Sequence, residues 1–193
     1  MKTYKFARYL LRQLFRFLYR IEAHGTQHVP KEGAVIICSN HISNWDPPVV
    51  GTQLDRIVRF MAKEELFKLK PLGWLFRALG AFPVKRGGVS KESIKYAIQL
   101  LRSGEMLCIF PEGTRGGGMG KKGAASLAVR SGATVIPTAV VGSYKPFRKL
   151  NIYFGEPVDM SAFSGDTSDS LEQATEEIMR RIRELANRGT ASN

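Results

Sequence analysis

The run AVIICSN, residues 34–40, is apolar at consecutive positions rather than at every second one. A strand of that kind has to be covered on both faces, which is the condition of a parallel sheet with helices above and below it. MLCIF (106–110) and ATVIPTAVV (133–141) repeat the pattern, and KLNIYFG (149–155) reads as a further strand. RIVRFMA (56–62) is another strand candidate, and AFPVKR (81–86) reads as a strand end. Between these runs lie helical stretches. PPVVGTQLD starts one, KEELFKLK and PLGWLFRALG are two short ones, AASLAVRSG is another, and a mixed-charge helix covers about 170–188. The clearest is SKESIKYAIQLLRSGE, amphipathic, with a serine at its start and Gly104 after its end. Strands alternating with helices predict a single α/β domain, its central sheet mostly parallel and flanked by helices. A chain of 193 residues suits one such domain with a full core.

Residues 2–21, KTYKFARYLLRQLFRFLYRI, contain no Gly or Pro. Wound at about 100° per residue, Lys2, Lys5, Arg8, Arg12, Arg16 and Arg20 share an arc of about 120°. Phe6, Leu10, Leu11, Leu14, Phe15, Phe17, Leu18 and Ile21 fill the opposite half. A core-packed helix with a solvated basic face would look similar. The charges here are all positive, however, and Tyr9 and Tyr19 lie inside the basic arc, which favours a helix lying in a membrane interface. The expected division is a membrane-associating helix over 1–22, a turn-rich connector HGTQHVPKEG, and the main domain over 33–193. No stretch approaches the roughly 18–20 uncharged apolar residues of a spanning helix. The charges spaced along residues 2–20 also argue against a cleaved signal peptide.

Lys and Arg number 29 against 17 Asp and Glu, a net charge of +12, which calls for an anionic partner. No RNA- or DNA-binding motif is recognisable, and the basic residues gather on the first helix and around glycine-rich loops, so a lipid surface or a phosphorylated substrate is expected. Cys38 and Cys108 sit inside strand-like runs, as reduced core residues would. They are too few for a zinc site, and no metal ligand cluster is visible.

Open α/β sheets place their sites at the carboxyl ends of strands, and three segments of this chain stand there. The first is NHISNWD (40–46). His41 can serve as a general base if Asp46 holds its tautomer. Equally, His41 can be a loop histidine bonded to backbone, and Asp46, preceding Pro47, can be a helix N-cap. Ser43 lacks the G-x-S-x-G elbow of a nucleophile and reads as a turn residue. The second segment is GAFPVKRGG (80–88), where Lys85 and Arg86 beside glycines can present cations and amides to a phosphate, or form a solvated turn. The third is FPEGTRGGG (110–118), an anion-binding loop that fails the P-loop pattern.

NHISNWD, GAFPVKR, FPEGTR and VIPTAV, in that order, resemble the four blocks of the glycerolipid acyltransferases, and most nearly those of the 1-acylglycerol-3-phosphate (lysophosphatidic acid) acyltransferases. The likeness runs from about Val35 to Gly142. It implies that His41 is the general base and Asp46 its orienting carboxylate. It implies further that Arg86, next to Lys85, holds a substrate phosphate. Glu112, Gly113 and Arg115, with Thr114 in the same block, would bind glycerol phosphate, and Pro137 would shape the pocket. Gly116 stands where members often carry a serine, and many members have longer N-terminal membrane segments.

The implied reaction moves an acyl chain from a coenzyme A or acyl-carrier-protein thioester to the sn-2 hydroxyl of lysophosphatidic acid. A thioester is already activated, so no nucleophilic side chain, cofactor or metal is expected. The expected location is peripheral, at the cytoplasmic face of the cell membrane. The rival readings are an acyltransferase for glycerol-3-phosphate or another lysolipid, and a non-catalytic lipid-binding module.

Overall fold

In the computed structural model, which describes residues 2–84, 90–111, 122–163 and 167–191, the continuous apolar runs form the middle of one sheet. Its described strands are β1 (Arg20–His24), β2 (Val35–Ser39), β3 (Val58–Lys63), β4 (Ala81–Val84), β5 (Met106–Ile109), β6 (Thr134–Gly142) and β7 (Lys149–Phe154). Their order across the sheet is β1-β7-β6-β2-β5-β3-β4. Every pairing is parallel except β6 with β7. The helices are α1 (Lys2–Leu18), α2 (Asp46–Gln53), α3 (Lys70–Ala78), α4 (Lys91–Arg102), α5 (Gly123–Ser131) and α6 (Ser168–Ala191). The expected α/β domain with a mostly parallel sheet is what the chain forms.

β2 shows why its sequence is apolar throughout. Val35 and Ile37 pack with Phe15 of α1 and with Val49 and Val50 of α2. Ile36 and Cys38 point the other way, into a cluster with Leu101 of α4, Leu127 of α5 and Ile178 of α6. Burying such side chains contributes about 1.5–3 kcal/mol each. The two cysteines follow the same alternation. Cys108 of β5 lies opposite Ile37, so the thiols fall on opposite faces and belong to separate clusters. Both are free and buried, as the sequence led us to expect. Helix α4 starts where expected, with the Ser90 hydroxyl accepting from the Ser93 N–H at 3.2 Å.

Two differences from the expected elements bear on function. Helix α1 ends at Leu18 instead of running to residue 21, and Arg20–His24, divided in the sequence reading between the end of the helix and the start of the connector, form edge strand β1 beside β7. Gly25 makes the turn after it possible at φ 75°, since a Cβ there would lie 2.0 Å from the Phe154 carbonyl oxygen. KEELFKLK gives only a 3-10 turn, Glu64–Phe67.

Helix α1 is also divided more finely than its charge pattern suggests. Tyr4, Ala7 and Phe15 are buried against the sheet domain. Arg8 lies at the edge of that contact, donating to the Leu54 carbonyl and pairing with Asp55 at 3.7 Å, and Arg12 reaches the Gln53 carbonyl at 3.4 Å. Phe6, Leu10, Leu14 and Phe17, further round the helix, are exposed, Phe17 by 73%. The core-packed reading therefore holds for one sector of this helix, while the apolar side chains of another sector are exposed.

Candidate active site

The loop after β2 runs between the ends of β5 and β6, and its first residue extends the sheet. The Asn40 amide donates to the Val140 carbonyl at 2.9 Å and accepts the Val140 N–H at 2.7 Å, continuing the β2–β6 ladder by one side chain. His41 follows directly. Its ring stacks on Phe110, which succeeds β5, with centroids 4.4 Å apart and planes inclined by 28°.

The His41 Nδ1 lies 2.8 Å from Asp46 Oδ2. A carboxylate can only accept, so Nδ1 carries the proton and Nε2 is the ring's lone-pair nitrogen. The Ile42 and Ser43 N–H groups donate to the same Oδ2 at 2.7 and 2.6 Å. The Tyr144 hydroxyl donates to Oδ1 at 2.6 Å. The Asp46 side chain is 0% exposed while that of His41 is 18% exposed, so the acid is enclosed and the imidazole reaches the surface. An enclosed carboxylate is costly unless its oxygens are met by donors, and here both are. Burial, and then the Asp46 charge, push the Tyr144 phenol far above its ordinary range, so it remains a donor.

These bonds correct one reading of Asp46. It is the first residue of α2, not the N-cap, a position that falls to Trp45. An N-cap at 46 would accept from the N–H groups of residues 48 and 49. Pro48 has none, and the Val49 N–H is already bonded to the Trp45 carbonyl at 3.0 Å. The carboxylate turns back to the loop before it instead. Ser43 is the expected turn residue: its hydroxyl accepts the Trp45 N–H at 3.2 Å and its carbonyl the Asp46 N–H at 3.0 Å.

The other predicted site residues are placed only by their neighbours in the chain. Lys85 and Arg86 follow Val84 at the carboxyl end of β4, and Glu112, Gly113, Thr114 and Arg115 follow Pro111 after β5; all six lie outside the described residues. Pro137 is buried within β6, where its carbonyl accepts the Gly155 N–H at 2.8 Å. Sequence reasoning gave no role to Asn40, Phe110 or Tyr144. Phe110 stood inside a quoted motif, whereas Tyr144 is 98 residues from its partner and carried no local signal.

The arrangement can move a proton at Nε2 and stabilise the imidazolium that results. Neither cysteine is equipped for covalent catalysis, since burial pushes the Cys38 thiol up to about 12 and raises that of Cys108 as well. An oriented imidazole at the carboxyl ends of parallel strands, with neither cysteine activated, can serve an α/β enzyme as a general base. Comparison with known proteins gives the family. Residues 20–141 match the Acyltransferase family model, and the chain belongs to that family.

Several of its relatives are named as 1-acyl-sn-glycerol-3-phosphate acyltransferases. The chain is 31% identical over 195 residues to the 1-acyl-sn-glycerol-3-phosphate acyltransferase of Bacillus subtilis, covering 96% of this chain and 98% of that protein. It is 30% identical over 171 residues to the Streptococcus pneumoniae protein of the same name, covering 84% and 64% respectively. The crystal structure of the 1-acyl-sn-glycerophosphate (LPA) acyltransferase PlsC from Thermotoga maritima superposes with a TM-score of 0.73 at 26% identity, over 94% of this chain and 79% of that one. The expected family and the expected enzyme class, an acyltransferase, both stand.

Proposed function

We propose that this acyltransferase moves an acyl chain from a coenzyme A or acyl-carrier-protein thioester to the sn-2 hydroxyl of lysophosphatidic acid, giving phosphatidic acid. The observation that carries the reading is the enclosed Asp46 carboxylate bonded to His41 Nδ1, which leaves Nε2 as the base. Nε2 takes the hydroxyl proton as the oxygen attacks the thioester carbonyl. The tetrahedral intermediate then collapses, the carbon–sulfur bond breaks, and the imidazolium returns the proton to the leaving thiolate. Asp46 stabilises the imidazolium between those steps. General-base catalysis of this kind is worth about 10²–10⁴-fold. Lys85, Arg86 and Arg115 are the cations we assign to the acceptor's phosphate, with Glu112, Gly113 and Thr114 beside them on the glycerol phosphate.

The same reading places the enzyme at a membrane surface, where acceptor and product reside. No helix among the described residues is long and apolar enough to cross a membrane. The exposed stripe of Phe6, Leu10, Leu14 and Phe17 supports interfacial seating of α1 instead. Phe147 extends it, edge-on to Phe17 with centroids 6.4 Å apart and exposed by 64%. Its φ of 64° is a strained conformation for a non-glycine residue, held by the bond from its N–H to the Leu18 carbonyl at 2.7 Å. Lys5 and Arg16 on the exposed side of α1 add about 1 kcal/mol each at an anionic surface.

The test is release of free thiol from an acyl thioester with no acceptor, with lysophosphatidic acid, with glycerol-3-phosphate and with other lysolipids. Release that depends on lysophosphatidic acid is the expected result. Release driven by another acceptor reassigns the substrate, and no release with any acceptor contradicts the reading.

A further inference from the structure

The two oxygens of Asp46 meet different donors. Oδ2 collects His41 Nδ1 and the N–H groups of Ile42 and Ser43. Oδ1 is held by the Tyr144 hydroxyl at 2.6 Å. Without that donor the carboxylate would have one enclosed oxygen with three donors and one with none. It could then turn about its Cβ–Cγ bond, and the bond to Nδ1 would no longer have a single geometry.

Tyr144 is itself held from the N-terminal helix. The Tyr19 ring meets it edge-on, with centroids 5.5 Å apart and planes at 86°, and Tyr19 in turn lies 6.4 Å from buried Phe15. Two backbone bonds join the same segments: Phe147 N–H to the Leu18 carbonyl at 2.7 Å and Arg20 N–H to the Arg148 carbonyl at 3.1 Å. Phe15 also packs edge-on to Trp45, the residue before Asp46, with ring centroids 6.0 Å apart and planes at 76°. Phe15 of α1 thus touches the loop through Trp45, and Tyr19, just past the end of α1, touches Tyr144.

We propose that Tyr144 is a positioning residue for the His41–Asp46 pair, kept in register by the end of α1 through Tyr19. Tyr144 acts through Asp46 and touches no reacting atom. The inference rests on the reading of that pair as the catalytic one. It adds that seating of α1 and geometry of the imidazole are linked.

The test is Tyr144→Phe, which keeps the ring and removes only the hydroxyl. Losing one hydrogen bond to a charged group should lower kcat about tenfold or more, with KM for both substrates unchanged. Nitrogen NMR shifts of the His41 ring should move from the Nδ1–H tautomer towards a mixture, a change a merely structural residue would not cause. Unchanged kcat with unchanged ring shifts overturns the proposal. Should Tyr144→Phe fail to fold, Tyr19→Leu decides: a lowered kcat at constant KM supports the link to α1, and an unaltered kcat overturns it. Full activity in His41→Ala would instead remove the catalytic reading beneath it, while the ring shifts of Tyr144→Phe would still report whether Tyr144 positions His41.

Discussion

The loop 40–46 and the outer face of α1 are built on opposite terms. In the loop, Asp46 gathers donors from His41, Ile42, Ser43 and Tyr144, so both its oxygens are answered inside the molecule. On α1, Phe6, Leu10, Leu14 and Phe17 are exposed, although Phe15 of the same helix is only 2% exposed. A carboxylate satisfied in this way holds the imidazole bonded to it in one geometry. An apolar face left in water points to a partner outside the chain, since contiguous exposed apolar patches on soluble proteins are rarely large without a use.

The largest effect that would break the loop side of this comparison comes from Asp46→Asn. The amide can keep its oxygen on the His41, Ile42 and Ser43 N–H groups and turn its NH2 to the Tyr144 hydroxyl, but these bonds no longer meet a charge, so the fold should lose about 1–3 kcal/mol, read as a lower Tm. Turnover should fall by about 10²–10⁴-fold, and normal turnover would leave Asp46 a purely structural acid. Next, Phe15→Ala should cost about 3–5 kcal/mol by opening a cavity between α1 and the sheet, whereas Phe17→Ala should stay within about 0.5 kcal/mol. Equal losses in denaturant titration would erase the distinction between the two sides of α1.

The smallest effect on stability, and the one that sharpens the α1 side, is Leu10→Glu with Leu14→Glu. Binding to anionic vesicles should be lost while Tm is unchanged, and undiminished sedimentation with vesicles would remove this face as the membrane contact. Reversing Arg8 would be a poorer choice. Its guanidinium bonds Leu54 and Asp55, so the docking of α1 would be disturbed together with its charge.

The sequence made parts of this legible for physical reasons. AVIICSN and MLCIF announce central strands because both faces of each are covered, and the whole α/β order follows from them. RIEAH gave no such sign. As an edge strand it is largely exposed, and its residues continue the helical pattern that precedes them, so only pairing with β7 defines it. The His41–Asp46 pair was legible from four blocks in a fixed order, but its geometry was not: the N-cap alternative failed on the missing N–H of Pro48 and the use of Val49's by Trp45. Tyr144 was out of reach. It is brought to Asp46 by the adjacency of β6 to β2, a tertiary fact that no local pattern around GSYKPF encodes.

Steady-state acyl transfer by His41→Ala, with an acyl thioester and lysophosphatidic acid, tests the central claim most directly. The variant is expected to fold, with stability lower by about 1–3 kcal/mol through the lost bond to the enclosed Asp46, and to turn over about 10²-fold or more slowly. Near-wild-type turnover from the folded variant would contradict it.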